Sequence, residues 1–358
     1  MDYKDNWEKS KARFSAFWSN ELIDRCCISV ISPAKGSTWQ PEPLPDNPED
    51  KLKYWTDGEW IVSRYKRYFE NTYFGGDSFP HVWLNLGAAG IAGYFTKSRF
   101  QFENTVWYFP FIEYYDRDFP EFDPDGFLYR KTLELARYLV NESKGSFFVS
   151  MPDNSGNADA LAHVRGSENV LMDMVTEPEE VHKAVNLIQK IRMETSERVF
   201  DIVRDNNEGG STIGWLHTWG EGKHDQMQCD LSVMISPAMF REFVLPELET
   251  QANWLDHGLY HFDGLEQIRH LDMLLSIEKL AAIQWTCVAG QPSPLEFIPV
   301  LRRIQQAGKG LVMWVNNKKE LESLLQNLSS KGLYLIVNAD SEDEARDIVK
   351  LAEKLTHE

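Results

Sequence analysis

The sequence predicts an α/β protein built as a single (β/α)8 barrel of the TIM type, with N-terminal helical additions and an aromatic-rich insertion. Three observations carry this expectation. Eight short apolar runs, CISVISP, FPHVWLNL, SFFVSMP, TIGWLHTW, GLYHFDG, LAAIQWTC, GLVMWV and GLYLIVNA, are mostly separated by segments of helical periodicity. The second half of the chain repeats strand, loop and helix with regularity. No glycine-rich phosphate fingerprint follows the first strand, which disfavours a dinucleotide-binding fold.

Taken in order, residues 7–22 place Trp7, Phe14, Phe17 and Trp18 on one helical face, a lead-in helix within residues 1–26 or a lid. CISVISP is a buried strand, closed by a Pro/Gly-rich segment. Residues 49–72 read as one helix with an apolar stripe of Leu52, Trp55, Trp60, Tyr65 and Phe69. Residues 95–125 are aromatic and irregular, an excursion that serves as a lid or as a surface insertion with its own small hydrophobic cluster. Gly126 to Lys144 is helical. Thr176-Glu-Pro-Glu179 has capping-box spacing and predicts a helix to about Asp205. Ser236-Pro237, Ser293-Pro-Leu-Glu296, Lys318 and Ser341-Glu-Asp-Glu344 open further helices. One domain, residues 1–358, accounts for the whole pattern.

A formal net charge of −18 excludes a nucleic-acid partner, because phosphate contacts need clustered Lys and Arg. The four cysteines show no CxxC spacing, which suits a reducing compartment. No apolar run has the length of a membrane span, and the N-terminus lacks a signal-peptide core. The expectation is a cytoplasmic protein with a small-molecule substrate and no membrane partner.

The stretch from Gly214 to Gly264 carries the densest chemistry. His261-Phe-Asp263-Gly264 closes a strand, and alternation puts His261 and Asp263 on one face at the carboxyl end, where barrel active sites lie. That spacing suits two metal ligands, a His oriented by a carboxylate, or a structural pair. His217, Glu221, His224 and Asp230 crowd the preceding loop as candidate ligands or acid/base groups, against the alternative of a solvated polar loop. Cys229 and Cys287 are lone cysteines, which usually act as small buried hydrophobes. Asn316, Asn338 and Asp340 follow the last two strands as site residues or helix caps, and Asp77, after Gly75-Gly76, has the same standing. Trp219, Trp285 and Trp314 are candidate cavity walls or core, with Trp219 the preferred substrate contact.

The segment DLSVMISPAMFREFVLP (230–246), followed by a strand ending in His-x-Asp-Gly, resembles the uroporphyrinogen decarboxylase superfamily most strongly over residues 212–300. That superfamily includes tetrapyrrole decarboxylases and zinc-dependent methyltransferases that move methyl groups between corrinoid proteins and thiols such as coenzyme M, all on the barrel the strand count suggests. The resemblance implies a methyltransferase-like enzyme. The decarboxylase branch has an N-terminal Met-Arg-Gln-Ala-Gly-Arg pattern, and this chain reads Arg25-Cys-Cys-Ile-Ser-Val-Ile-Ser-Pro33 there, although Asp77 lies roughly where that branch keeps its Asp. The methyltransferase branch ligates zinc through His-x-Cys and a later Cys. Here His261 matches the His, Asp263 replaces the first Cys, and Asn338 or Asp340 stands near the second.

The resemblance therefore implies zinc or another divalent transition metal on His261 and Asp263, with a third ligand from Asp340, Glu221 or Cys287. A corrinoid would arrive on a separate corrinoid protein, and relatives pair as homodimers. Two alternatives remain: a decarboxylase acting on a tetrapyrrole or a smaller acid, and a non-catalytic barrel that holds a small molecule.

Overall fold

Residues of β1 (Cys27–Pro33) alternate between two hydrophobic environments, one inside a barrel and one against covering helices, which is why the run is apolar on both faces. The computed structural model describes every residue except Ala289. The other strands are β2 (Thr72–Gly76), β3 (His81–Val82), β4 (Arg99–Phe102), β5 (Val106–Phe109), β6 (Phe148–Val149), β7 (Gly210–Ile213), β8 (Thr218–Glu221), β9 (His224–Met227), β10 (His257–Phe262), β11 (Leu280–Trp285), β12 (Gly310–Val315) and β13 (Leu333–Asn338).

A seven-stranded sheet runs in the order β2-β1-β13-β12-β11-β10-β9, parallel except for β2 on β1. β3 and β6 form a second parallel pair, and a parallel bridge from Met151 to Ile213 joins β6 to β7. The Ser211 hydroxyl of β7 bonds the backbone of His224 in β9, so the strands wrap around one lumen. This is the TIM-type α/β barrel that the strand pattern predicts.

Two local readings are corrected. TIGWLHTW is not one strand: β7 stops at Ile213, a short 3-10 turn spans Gly214–Leu216, His217 takes a left-handed φ of 51°, and the chain returns antiparallel as β8. The polar run that follows is a strand, β9. Its backbone pairs in parallel with β10 while His224, Asp225 and Gln226 are buried polar residues, so it lacks the apolar alternation that marks a strand in sequence.

Helix boundaries shift for identifiable reasons. Residues 49–72 hold two helices, Pro48–Thr56 and Gly58–Glu70, because extended Asp57 ends the first and accepts a hydrogen bond from Trp60 N at 2.9 Å to start the second. Thr176 ends a helix, Ser167–Thr176, and does not cap the next, Pro178–Val203. Ser236 does cap its helix, accepting from Met239 N at 3.2 Å.

The lead-in helix α1 (Trp7–Trp18) closes the amino-terminal end of the barrel. Trp7, Phe14 and Phe17 pack with Phe79, Phe148, Trp219 and Tyr334 as one inner hydrophobic cluster, Trp7 lying edge-on to Trp219 at 5.7 Å. That packing fills the amino-terminal end of the lumen. Residues 95–125 contain the β4–β5 hairpin and a short helix, Tyr115–Asp118, with Phe100 stacked on Phe127. Among the described residues no helix is long and apolar enough to cross a membrane.

Candidate metal centre at the barrel mouth

Strand alternation builds the centre. On β10, Tyr260 and Phe262 join the outer core while Leu259 joins the inner cluster, so the Leu259 face carries His261 and then Asp263 to the mouth. On β9 and its exit, Met227 and Cys229 point outwards, and Gln226, Gln228 and Asp230 take the other face. Asp230, His261 and Asp263 converge there, each offering a ligand atom within 4.8 Å of the others'. The predicted pair is thus joined by Asp230, itself a candidate from the sequence, at the exit of the neighbouring strand.

Supporting contacts set the orientation of each donor. His261 Nε2 lies 3.2 Å from Asp263 Oδ1. Its Nδ1 meets Gln284 Oε1, and Gln284 Nε2 donates to Trp285 O and Thr286 Oγ1, which identifies Oε1 as the acceptor and Nδ1–H as the donor. Gln267 Nε2 donates to Asp263 Oδ2 at 3.3 Å, and Gln228 Nε2 lies 3.3 Å from both oxygens of Asp230. Trp215 stands edge-on to His261 at 5.2 Å.

Electrostatics follow from this crowding. Confinement in the mouth, with the carboxylates of Asp159, Asp263 and Asp153 near it, pushes the Asp230 pKa up. Burial opposes a charged His261, but the hydrogen bond and charge of Asp263, with Asp230 behind it, outweigh burial and raise its pKa. Deeper in the lumen, burial pushes the Asp153 carboxyl up to about 7, and Gln226 Nε2 donates to it. The result is a pocket of acidic groups around one imidazole, which favours a cation.

The donor set itself tests whether a metal fits. With Nδ1 protonated, Nε2 carries a lone pair aimed at a carboxylate oxygen, a repulsive pair unless a proton or a metal ion stands between them. One imidazole nitrogen and two carboxylates, held by carboxamides, match the ligand types and second shell of divalent transition-metal sites. The residues present fit such a metal.

Other predicted site residues stand elsewhere. Asp77 lies at the opposite end of the barrel, where both oxygens bond Arg25, at 2.5 and 3.1 Å, with Arg13 at 3.1 Å and Ile28 N at 3.0 Å. Its partners make it a structural anchor, and they commit Arg13 and Arg25 to that end of the barrel. His224 is buried at the start of β9, its Nδ1 bonded to His257 O and its Nε2 to the Thr218 hydroxyl; burial takes its pKa to about 3. Glu221 is exposed at the same end. Trp219 is wholly buried in the inner cluster and Trp285 in the outer core, so neither walls the mouth.

His217 sits inside the lumen between His81, at 4.9 Å, and Trp314, at 5.7 Å, with burial holding its imidazole neutral. Asn338 continues the inward series of Tyr334 and Ile336 on β13 and is exposed at the mouth. Asn316 turns to Glu320, which bonds both its backbone and its side-chain nitrogen. Asp340 is exposed, outside the converging group, with its N–H donating to Glu344 Oε2 at 2.8 Å. Cys287 is half-buried with its thiol on Pro292 O, and it too lies outside that group. Gln284, Gln267, Gln228 and Trp215 were not anticipated, although the alternation Gln226-x-Gln228-x-Asp230 is visible in the sequence.

Fold and site together define an α/β barrel with a His/carboxylate cluster at its carboxyl-terminal mouth. Among solved structures, the chain is similar to a methyltransferase from Methanosarcina mazei, with a TM-score of 0.60 and 9% identity over 96% of this chain and 98% of that one. At that identity the likeness establishes a shared fold. No protein-family model and no curated protein matches the chain.

Proposed function

We propose that the protein is a metal-assisted, methyltransferase-like enzyme of the barrel mouth. The observation that carries this reading is the convergence of Asp230, His261 and Asp263 at the open end of a lumen whose other end is plugged. In this reading Asp230, a candidate ligand from the crowded loop, is the third ligand in place of Asp340, Glu221 or Cys287. A bound divalent transition metal, zinc among the candidates, would supply Lewis acidity that lowers the pKa of a thiol acceptor.

The chain's own residues do the rest. Gln284 fixes the tautomer that leaves His261 Nε2 free, while Gln267 and Gln228 restrain the two carboxylates. Trp215 packs edge-on with the imidazole and helps hold its orientation. Asp153, tied through Gln226 to the same face, is placed to hold or release a proton near neutral pH. The methyl donor in this reading is a corrinoid on a separate protein, and the small-molecule substrate enters from the mouth.

Elemental analysis of the purified protein tests it, followed by methyl transfer from methylcobalamin to small thiols. Near-stoichiometric transition metal and metal-dependent thioether formation are expected. A metal-free wild type, or turnover unchanged by a chelator, would overturn the reading.

A further inference from the structure

Away from the mouth, two adjoining cavities of about 150 and 220 Å³ lie against the helix Gly58–Glu70 and share Tyr54, Arg64 and Tyr65. The inner one is backed by the apolar side chains of Ile61, Leu135 and Leu139, and Arg64, Tyr65, Trp83 and Asn85 bring donor groups to it. Arg64 Nε and Trp83 Nε1 are buried and have no hydrogen-bond partner. The Tyr65 oxygen accepts from Trp83 N at 3.3 Å, which leaves its hydroxyl proton to donate, and burial keeps that phenol protonated. Asn85 Oδ1 accepts from Gly87 N at 2.9 Å, so its amide NH2 is the free end.

Arg64 makes the arrangement unusual. Its guanidinium lies over the Tyr54 ring at 3.4 Å and gives one N–H to Tyr54 O, yet among the described residues no carboxylate lies within ion-pair distance. Acidic side chains outnumber basic ones in this chain by 55 to 37, so an arginine left without one beside three neutral donors marks a place kept for an acceptor. The outer cavity adds the faces of Trp39 and Tyr68, whose rings are 6.0 Å apart. Its single lining carboxylate, Glu42, is neutralised by Arg67 at 2.6 Å.

We propose that these cavities form a binding site for a small anion with a flat apolar body, an oxyanion on an aromatic ring. The oxyanion sits in the inner cavity against Arg64, Trp83 and Tyr65, and the ring packs against Trp39 and Tyr68 on the wall of the outer one. A carboxylate is the source we favour, because the inner cavity is small; an aryl phosphate shares the recognition chemistry. The site involves none of the mouth residues and stands independently of the metal centre.

Calorimetric titration of the full chain with benzoate, benzamide and phenyl phosphate tests it. Benzoate is expected to bind one to one, with the isosteric neutral amide weaker by about tenfold or more. Arg64→Met should weaken benzoate by a similar factor, and Tyr65→Phe, which removes one hydroxyl and keeps the ring, should weaken it less but measurably. Phenyl phosphate outcompeting benzoate would keep the oxyanion site and change its source. Equal affinity for benzoate and benzamide, no binding of either anion at millimolar concentration, or full affinity in a folded Tyr65→Phe protein would overturn the proposal.

Discussion

His261 Nε2 faces Asp263 Oδ1 across 3.2 Å while the other nitrogen of the same ring is committed to Gln284. Two residues adjacent on one strand face are thereby locked into a geometry that calls for a positive charge between them. The partner that locks them comes from β11, and the third donor, Asp230, from the exit of β9.

Removing a donor should remove the metal. His261→Ala, Asp263→Ala and Asp230→Asn are each expected to abolish stoichiometric metal content while leaving the circular dichroism spectrum of the barrel unchanged. Metal retained at wild-type level in all three would sink the ligand assignment.

Gln284 is expected to act through His261 rather than on any ligand directly. Gln284→Ala should weaken metal affinity by about 10–100-fold, and Gln284→Glu, which restores an acceptor for Nδ1–H, should recover most of it. Competition with a chromophoric chelator gives both numbers; equal losses in the two variants would argue against an orienting role.

Asp77 should matter for stability and leave the metal alone. Removing one partner of a buried ion pair costs about 3–5 kcal/mol, so Asp77→Asn should lower the urea midpoint sharply with metal content unchanged. Burial opposes the charged carboxylate, but Arg25 and Arg13 hold its pKa below the ordinary 3.8. Its stabilising contribution is present above that value and is lost as the pH falls below it.

Acid should destabilise the protein earlier through His224. The unfolded imidazole takes up a proton near 6.5 and the folded one only near 3, so stability falls as the pH drops from 6.5 towards 3, by about 1.4 kcal/mol per unit for this one group. Urea midpoints measured across that range should show a shallower decline in His224→Gln. An identical slope would mean that His224 titrates normally in the fold.

The aromatic plug under the lumen should be separable from the chemistry above it. Trp219→Ala opens a cavity in the inner cluster and should cost about 3–5 kcal/mol. Metal content is expected to hold at the wild-type level under native conditions, and loss of metal at temperatures where the variant stays folded would show that plug and mouth are coupled.

The barrel was legible because strand and helix signals are local: apolar runs bounded by Gly, Pro and caps, repeated along the chain. The His261–Asp263 pair was legible for the same reason, since alternation along a single strand needs no tertiary knowledge. β9 was not legible, because its buried residues His224, Asp225 and Gln226 are polar, with Gln226 satisfied by a distant partner, Asp153. Nor was the fate of the polar cluster from His217 to Asp230. A left-handed turn at His217 reverses the chain, so residues a few positions apart go to opposite ends of the barrel: Glu221 and His224 to the plugged end, Asp230 to the mouth.

By itself, then, the sequence determined the fold class, the excess of acidic groups and the strand end that carries His261 and Asp263. Only the tertiary structure decided that Asp230 completes the group, that Asp77 and Trp219 serve the opposite end, and that Arg64 stands without a carboxylate. Periodicity reports which way a side chain points relative to its own strand; which distant side chain it meets depends on how the strands close around the lumen.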